Sequence, residues 1–171
     1  MSKVSVHLRA MEPEDLDYIY NLENDTEIWS MGVTNVPYSR YMLHEYVARS
    51  SGDIYTDKQV RLMIENKEGN TIGTIDLTSF DPKNRRAEIG IVISPNYRGY
   101  GYAKASLSQI HQYATNVAHI HQLYAIIPES HDISKSLFSK MGYIETSRLV
   151  DWLYDGNTYT SAVIFQKILY F

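Results

Sequence analysis

Six consecutive residues carry the clearest chemical signal in this chain: Arg98-Gly99-Tyr100-Gly101-Tyr102-Ala103. They follow the apolar run Glu88-Ile89-Gly90-Ile91-Val92-Ile93 and the turn residues Ser94-Pro95-Asn96-Tyr97. Beyond them Ala103, Leu107, Ile110, Ala114 and Val117 recur at helical spacing and share one apolar face. A glycine-bearing loop therefore joins a buried strand to a helix N-terminus. The first N–H groups of a helix lack intrahelical acceptors and sit at the positive end of its dipole, so such a loop suits an anion, typically a phosphate. Two common nucleotide loops are excluded. G-x-G-x-x-G fails because only Gly99 and Gly101 are in place and position 104 is Lys, and a P-loop fails because no Gly-Lys-Ser/Thr follows. What remains is R-x-x-G-x-A after a strand. Arg98 and Lys104 either add charge beside the phosphates or stay as solvated surface charge.

A second spacing with chemical meaning is His119-x-His121, which can bind a metal on a strand. Nothing nearby completes a ligand set, so no metal is expected. There is no cysteine, which rules out disulfides, thiolate metal sites and a cysteine nucleophile. Sixteen basic against twenty acidic residues give a net charge of −4, unsuited to non-specific nucleic-acid binding. Neither a secretory leader nor an apolar run of about 20 residues is visible, so a cytoplasmic location without membrane partners is expected.

The elements that position the loop can be read from periodicity. Strands are expected at 4–9, 59–65, 71–78, 86–93, 123–127, 144–153 and 158–167. Helices are expected from about 11 to 23, at 39–49, from 103, and at 132–141 with Gly142 as the stop. Asn66-Lys67-Glu68-Gly69-Asn70 and Asp155-Gly156-Asn157 read as hairpin turns. The order is β-α-α-β-β-β-α-β-α-β-β. The strand–helix–strand unit through the glycine loop forces one parallel pair into a mostly antiparallel sheet. The expectation is one α+β domain over residues 1–171, with a mixed seven-stranded sheet and about four helices.

Arg98-Gly99-Tyr100-Gly101-Tyr102-Ala103 resembles the acetyl-CoA pyrophosphate motif [RQ]-x-x-G-x-[GA] of the GNAT superfamily of N-acetyltransferases. The element order matches that fold throughout. The stretch from Arg85 to Pro95 and the tail Lys140-Met141-Gly142-Tyr143 are similar to the spermidine and ribosomal-protein N-terminal branches. The resemblance implies acetyl-CoA as cosubstrate, with the pyrophosphate on the N–H groups of Gly99, Tyr100, Gly101, Tyr102 and Ala103. It also implies that the pantetheine arm pairs like an added strand with Ile91, Val92 and Ile93, where the sheet opens.

The resemblance places Glu88 near the acceptor. A lysine-like amine has a pKa of about 10.4, so freeing its lone pair at pH 7 costs roughly 4 to 5 kcal/mol. A carboxylate base lowers that cost. The competing reading is an exposed ion pair of Glu88 with Arg85 or Arg86. The spermidine enzymes carry a tyrosine acid four residues before the glycine corresponding to Gly142, where this chain has Phe138. Ser134 matches the serine of the ribosomal-protein type and is the substitute, unless it is simply a capping serine. The usual Asn opening this helix is replaced by His131-Asp132.

Acceptor recognition is expected from residues 24–37 and from the last hairpin. Glu23, Asp25 and Glu27 could attract a cation, and Trp29, Tyr38, Trp152 and Tyr154 could line a pocket. Thr34-Asn35 stand where the spermidine enzymes have paired acids, which counts against a polyamine. The expected function is acetyl transfer by direct attack of a small amine, a polyamine or a protein N-terminus, with self-association open. The alternative, suggested by Phe138, is an acyl-CoA-binding module without catalysis.

Overall fold

A computed structural model gives the fold; it describes residues 4–29 and 36–170, and of Trp29 only the backbone. The elements are β1 (Val6–Ala10), α1 (Leu16–Glu23), α2 (Thr26–Trp29), α3 (Arg40–Arg49), α4 (Ile54–Asp57), β2 (Val60–Asn66), β3 (Thr71–Asp81), β4 (Arg86–Ile93), α5 (Tyr102–Asn116), β5 (Gln122–Pro128), α6 (Asp132–Lys140), β6 (Ile144–Tyr154) and β7 (Tyr159–Ile168). Single 3-10 turns precede α1 at Pro13–Asp15 and α5 at Pro95–Tyr97. The seven strands, their order in the chain and the four longer helices agree with the sequence pattern. The differences are α2 and α4, each four residues long. One turn is too short to show an apolar period, so neither was legible.

The strands form one sheet in the order β1-β2-β3-β4-β5-β7-β6. Only β4 and β5 run parallel, as the crossover through α5 requires. Helices cover both faces. On one, Leu107, Ile110 and Ala114 of α5 and Phe138 of α6 bury themselves among Ile75, Ile89, Leu123 and Phe165. On the other, Ile19 of α1 and Leu43 of α3 pack on Met63 of β2. Burying the side chains of the larger cluster is the main stabilising term, at about 1.5–3 kcal/mol for each large apolar residue. Ser39 caps α3 by accepting from the Met42 N–H at 3.1 Å, worth about 1 kcal/mol.

Strand alternation sorts the residues of β4. Ala87, Ile89 and Ile93 are buried on the α5 face, whereas Glu88, Gly90 and Val92 are half-buried on the α1–α3 face. Gly73 on β3 is required by packing, because a Cβ there would collide with the Val92 carbonyl. Among the described residues no helix is long and apolar enough to cross a membrane.

Candidate functional site

The parallel pair β4–β5 is short. Its register runs only through Arg86–Gln122, Ala87–Leu123 and Glu88–Tyr124. Beyond Glu88 the two strands part, while β4 stays paired with β3 as far as Ile93 opposite Gly73. A wedge-shaped gap therefore opens in the sheet, with β4 as one wall.

The bonding phase of β4 shows which groups face that gap. The Ser94 N–H donates to the Ile72 carbonyl at 2.9 Å, one step beyond the Gly73–Ile93 pair. Opposed residues of an antiparallel ladder alternate between bonded and non-bonded pairs. Val92 and Gly90, in phase with Ser94, thus turn their backbone groups to β3. Ile91 and Ile93 turn theirs toward the gap. Of the three residues expected to pair with a pantetheine arm, Ile91 and Ile93 have the right direction and Val92 does not. The Ile93 carbonyl is already taken by the Arg98 Nε–H at 2.8 Å. This leaves the Ile91 N–H and C=O and the Ile93 N–H directed into the opening, where an extended amide-bearing chain can pair with them.

The glycine loop closes the wide end of the gap. Gly99 and Gly101 have φ of 84° and 90°, in the left-handed region that favours glycine. Gly101 caps α5, whose first intrahelical bond runs from the Ala105 N–H to the Gly101 carbonyl at 3.1 Å. The N–H groups of Tyr102, Ala103 and Lys104 therefore project from the helix end. Tyr100, Arg98 and Lys104 are exposed around them. Arg98 spends its Nε–H on closing the loop against β4, so only its outer nitrogens are left for an anion. The donor set fits a pyrophosphate: convergent backbone N–H groups, a helix dipole and two adjacent cations.

The narrow end of the gap is where Glu88 stands. Its competing reading fails among the described residues. Arg86 pairs with Asp81 at 3.3 Å, and Arg85 donates through Nε to the His119 carbonyl at 2.6 Å. Glu88 has no hydrogen-bond or ion-pair partner among those residues, and burial alone pushes its carboxyl above the usual range. Tyr124, directly opposite on β5, shares its face. Burial and then the Glu88 charge push the Tyr124 phenol up, against a hydrogen bond from Ser79 that lowers it. Nothing in the local sequence marked Tyr124, because strand pairing across 36 residues of chain carries no local signal.

The acids expected to attract a cation have structural roles as well. Glu23 forms an ion pair with Arg61, which also binds Asp76 through Nε–H at 2.7 Å. Asp25 accepts from the Glu27 N–H at 2.9 Å at the start of α2. Tyr38 packs on the α1–α3 cluster, with its N–H donating to the Asn24 side chain at 2.8 Å. Trp152 and Tyr154 are exposed on β6, two strands beyond β5, and the fold does not bring them to the gap. Thr34-Asn35 and the Trp29 side chain lie outside the described residues.

On α6, Phe138 is 4% exposed and stacks edge-on against Tyr143 at 4.9 Å. Ser134 is half-buried and does not cap its helix. That role falls to His131, whose Nδ1 accepts the Ser134 N–H at 3.2 Å. His119 and His121 lie in the turn between α5 and β5, and no group of metal-ligating residues occurs among the described residues.

Residues 5–144 match the acetyltransferase (GNAT) domain family. This chain belongs to that family. It is an N-acetyltransferase that uses acetyl-CoA. The chain is 26% identical to a spermidine N(1)-acetyltransferase of Vibrio cholerae, covering 89% of this chain and 86% of that one. It is 27% identical to the Escherichia coli enzyme of the same name, covering 93% and 83%. The solved Vibrio cholerae enzyme in complex with CoA and spermine superposes with a TM-score of 0.86 at 25% identity, covering 96% of both chains. The family match ends at Ile144, yet β7 beyond it separates β5 from β6 and is integral to the sheet.

Proposed function

We propose that this acetyltransferase acts on a primary amine of a small aliphatic polycation, with Glu88 as the base. The observation that carries the reading is Glu88 itself: a half-buried carboxylate at the point where β4 and β5 part, unpartnered among the described residues and raised toward useful basicity. The polyamine-acetylating relatives support the acceptor class. In the proposed reaction the ammonium gives a proton to Glu88, directly or through water. The freed nitrogen attacks the thioester carbonyl, the C–N bond forms, the C–S bond breaks, and the second nitrogen proton passes to the departing thiolate, leaving the amide and CoA thiol. In this reading the Ile91 or Ile93 N–H, directed into the gap, polarises that carbonyl. Gly99 through Lys104 hold the pyrophosphate. Ser134 remains the candidate on α6 for protonating the thiolate, a modest demand because a thiol pKa is only about 8.5.

One related structure is described as dodecameric, and edge strand β6 exposes Ile144, Val150, Trp152 and Tyr154. Self-association belongs to the same reading, and light scattering tests it. The acceptor is tested by following thiol release from acetyl-CoA with spermidine, spermine, simple diamines and a peptide N-terminus. Turnover on the polyamines above all others is expected. Preference for the peptide would overturn the acceptor class. Tight acetyl-CoA binding without turnover on any amine would overturn the catalytic reading in favour of a binding module.

A further inference from the structure

Glycine is replaceable wherever neither backbone nor packing demands it, and eight glycines can be judged on this ground. Six have positive φ: Gly52, Gly69, Gly99, Gly101, Gly142 and Gly156. Gly73 is demanded by packing against the Val92 carbonyl. Gly90 is demanded by neither. It lies in mid-strand outside the positive-φ region, and beyond its chain neighbours no described atom comes within 4 Å of where its Cβ would stand. Glycine weakens a strand interior, and its usual reasons there are a bulge, a bend or the close approach of a ligand. The β3–β4 register runs unbroken from Glu88 to Ile93, so there is no bulge at Gly90.

The surroundings of the empty position are specific. Glu88 and Val92 flank Gly90 on the same face, two residues away on either side. Asp76 stands directly across on β3, bound to Arg61, which also holds Glu23. Two carboxylates thus hold one guanidinium, and Glu88, on the same face two residues from Gly90, gives the patch a surplus of negative charge when ionised. A cationic chain complements it. Strand residues two apart stand about 6.6 Å from one another, so the missing side chain leaves the width of roughly one methylene chain.

We infer that Gly90 is the floor of the amine slot, a specificity-determining position whose missing side chain admits an unbranched primary alkylamine to Glu88. The inference rests on the amine-acetylating function proposed above. The slot excludes branching next to the nitrogen, because a second carbon would press on Glu88 or Val92. It also explains why a fold-weakening residue occupies the middle of β4.

Gly90→Ala and Gly90→Val fill the slot by one and three carbons. The expected result is a KM for spermidine raised about threefold by Ala and tenfold or more by Val. The calorimetric Kd for acetyl-CoA should stay within twofold, and thermal stability should be equal or higher. The wild type should prefer n-butylamine to sec-butylamine by at least tenfold. An unchanged KM in both variants would overturn the inference, as would an acetyl-CoA Kd that rises in step with KM. If Gly90→Val does not fold, the Ala variant decides. Should the wild type acetylate no amine, the proposed function fails. The slot is then judged by spermidine binding to the CoA-loaded protein: binding weakened by Gly90→Ala upholds it, and binding that is absent or unaffected overturns it.

Discussion

The two ends of the wedge between β4 and β5 are built from different materials. The wide end is backbone: N–H groups of a glycine loop and a helix start, with strand amides at Ile91 and Ile93. The narrow end is side chain: Glu88 from β4 and Tyr124 from β5, with the Asp76–Arg61–Glu23 cluster alongside on β3, β2 and α1. Backbone sites tolerate many side chains but demand particular conformations, so they leave glycines in fixed places. Side-chain sites are assembled across the sheet from residues far apart in sequence. On the proposed reading the wide end takes the cosubstrate and the narrow end takes the acceptor.

The sharpest way to break the comparison is at Glu88. Glu88→Gln should lower kcat/KM about 100-fold at pH 7, within the range for a general base. The loss should shrink as pH rises and more of the amine is already free. The wild-type acid limb should lie above the ordinary carboxylate range, because burial raises Glu88, and the variant should lack it. A pH-independent loss would remove Glu88 from proton transfer.

Gly101→Glu tests the other end. A side chain at φ of 90° is strained and puts negative charge where an anion is to bind. Calorimetry should show acetyl-CoA binding weakened by roughly tenfold or more, at about 1.4 kcal/mol per decade. Unchanged affinity would take the pyrophosphate away from this loop.

Phe138→Tyr asks whether α6 can supply an acid at position 138 in addition to Ser134. The ring lies in the core against Tyr143, so an added hydroxyl has to find a partner there or cost about 1–3 kcal/mol. Denaturant titration should show that loss, with kcat within about twofold of wild type. A clear gain in kcat would show that α6 reaches the thiolate.

The smallest effect is on stability, and its sign opposes the first prediction. A carboxyl raised by burial binds its proton more tightly folded than unfolded, so its contribution falls as pH rises through the folded pKa. Glu88→Gln should therefore have a slightly higher Tm than wild type at pH 7. The difference should vanish below about pH 4, where both states of Glu88 are protonated. A lower Tm at neutral pH would mean that Glu88 has a stabilising partner.

What was legible in the sequence follows the same division. Arg86 to Ile93 is a strand with both bounds as expected, because a buried strand beside a crossover reads as a continuous apolar run. Gly99 and Gly101 were legible as the loop that joins β4 to α5. The helix read at 39–49 runs from Arg40 to Arg49, with Ser39 just outside it as the cap. The backbone phase at Val92 was not legible, since it depends on which neighbour the strand bonds first. Nor was the diversion of Glu23 to Arg61, which joins residues 38 apart through α1 and β2. Tyr124 gained its position only through a parallel pairing that α5 makes possible.

The insertion of β7 between β5 and β6 has a consequence for biosynthesis. β5 bonds to β4 through only three residue pairs, and its other edge is complete only when Tyr159–Ile168 lies alongside it. At about 5–20 residues per second, the ribosome needs roughly 2 to 8 seconds to travel from the end of β5 to the end of β7. For that interval the nascent chain presents a bare apolar edge, Leu123 to Ile127, on the side of β5 away from the wedge. Premature termination anywhere in β7 would leave that edge exposed for good, a ready substrate for chaperones and quality-control proteases.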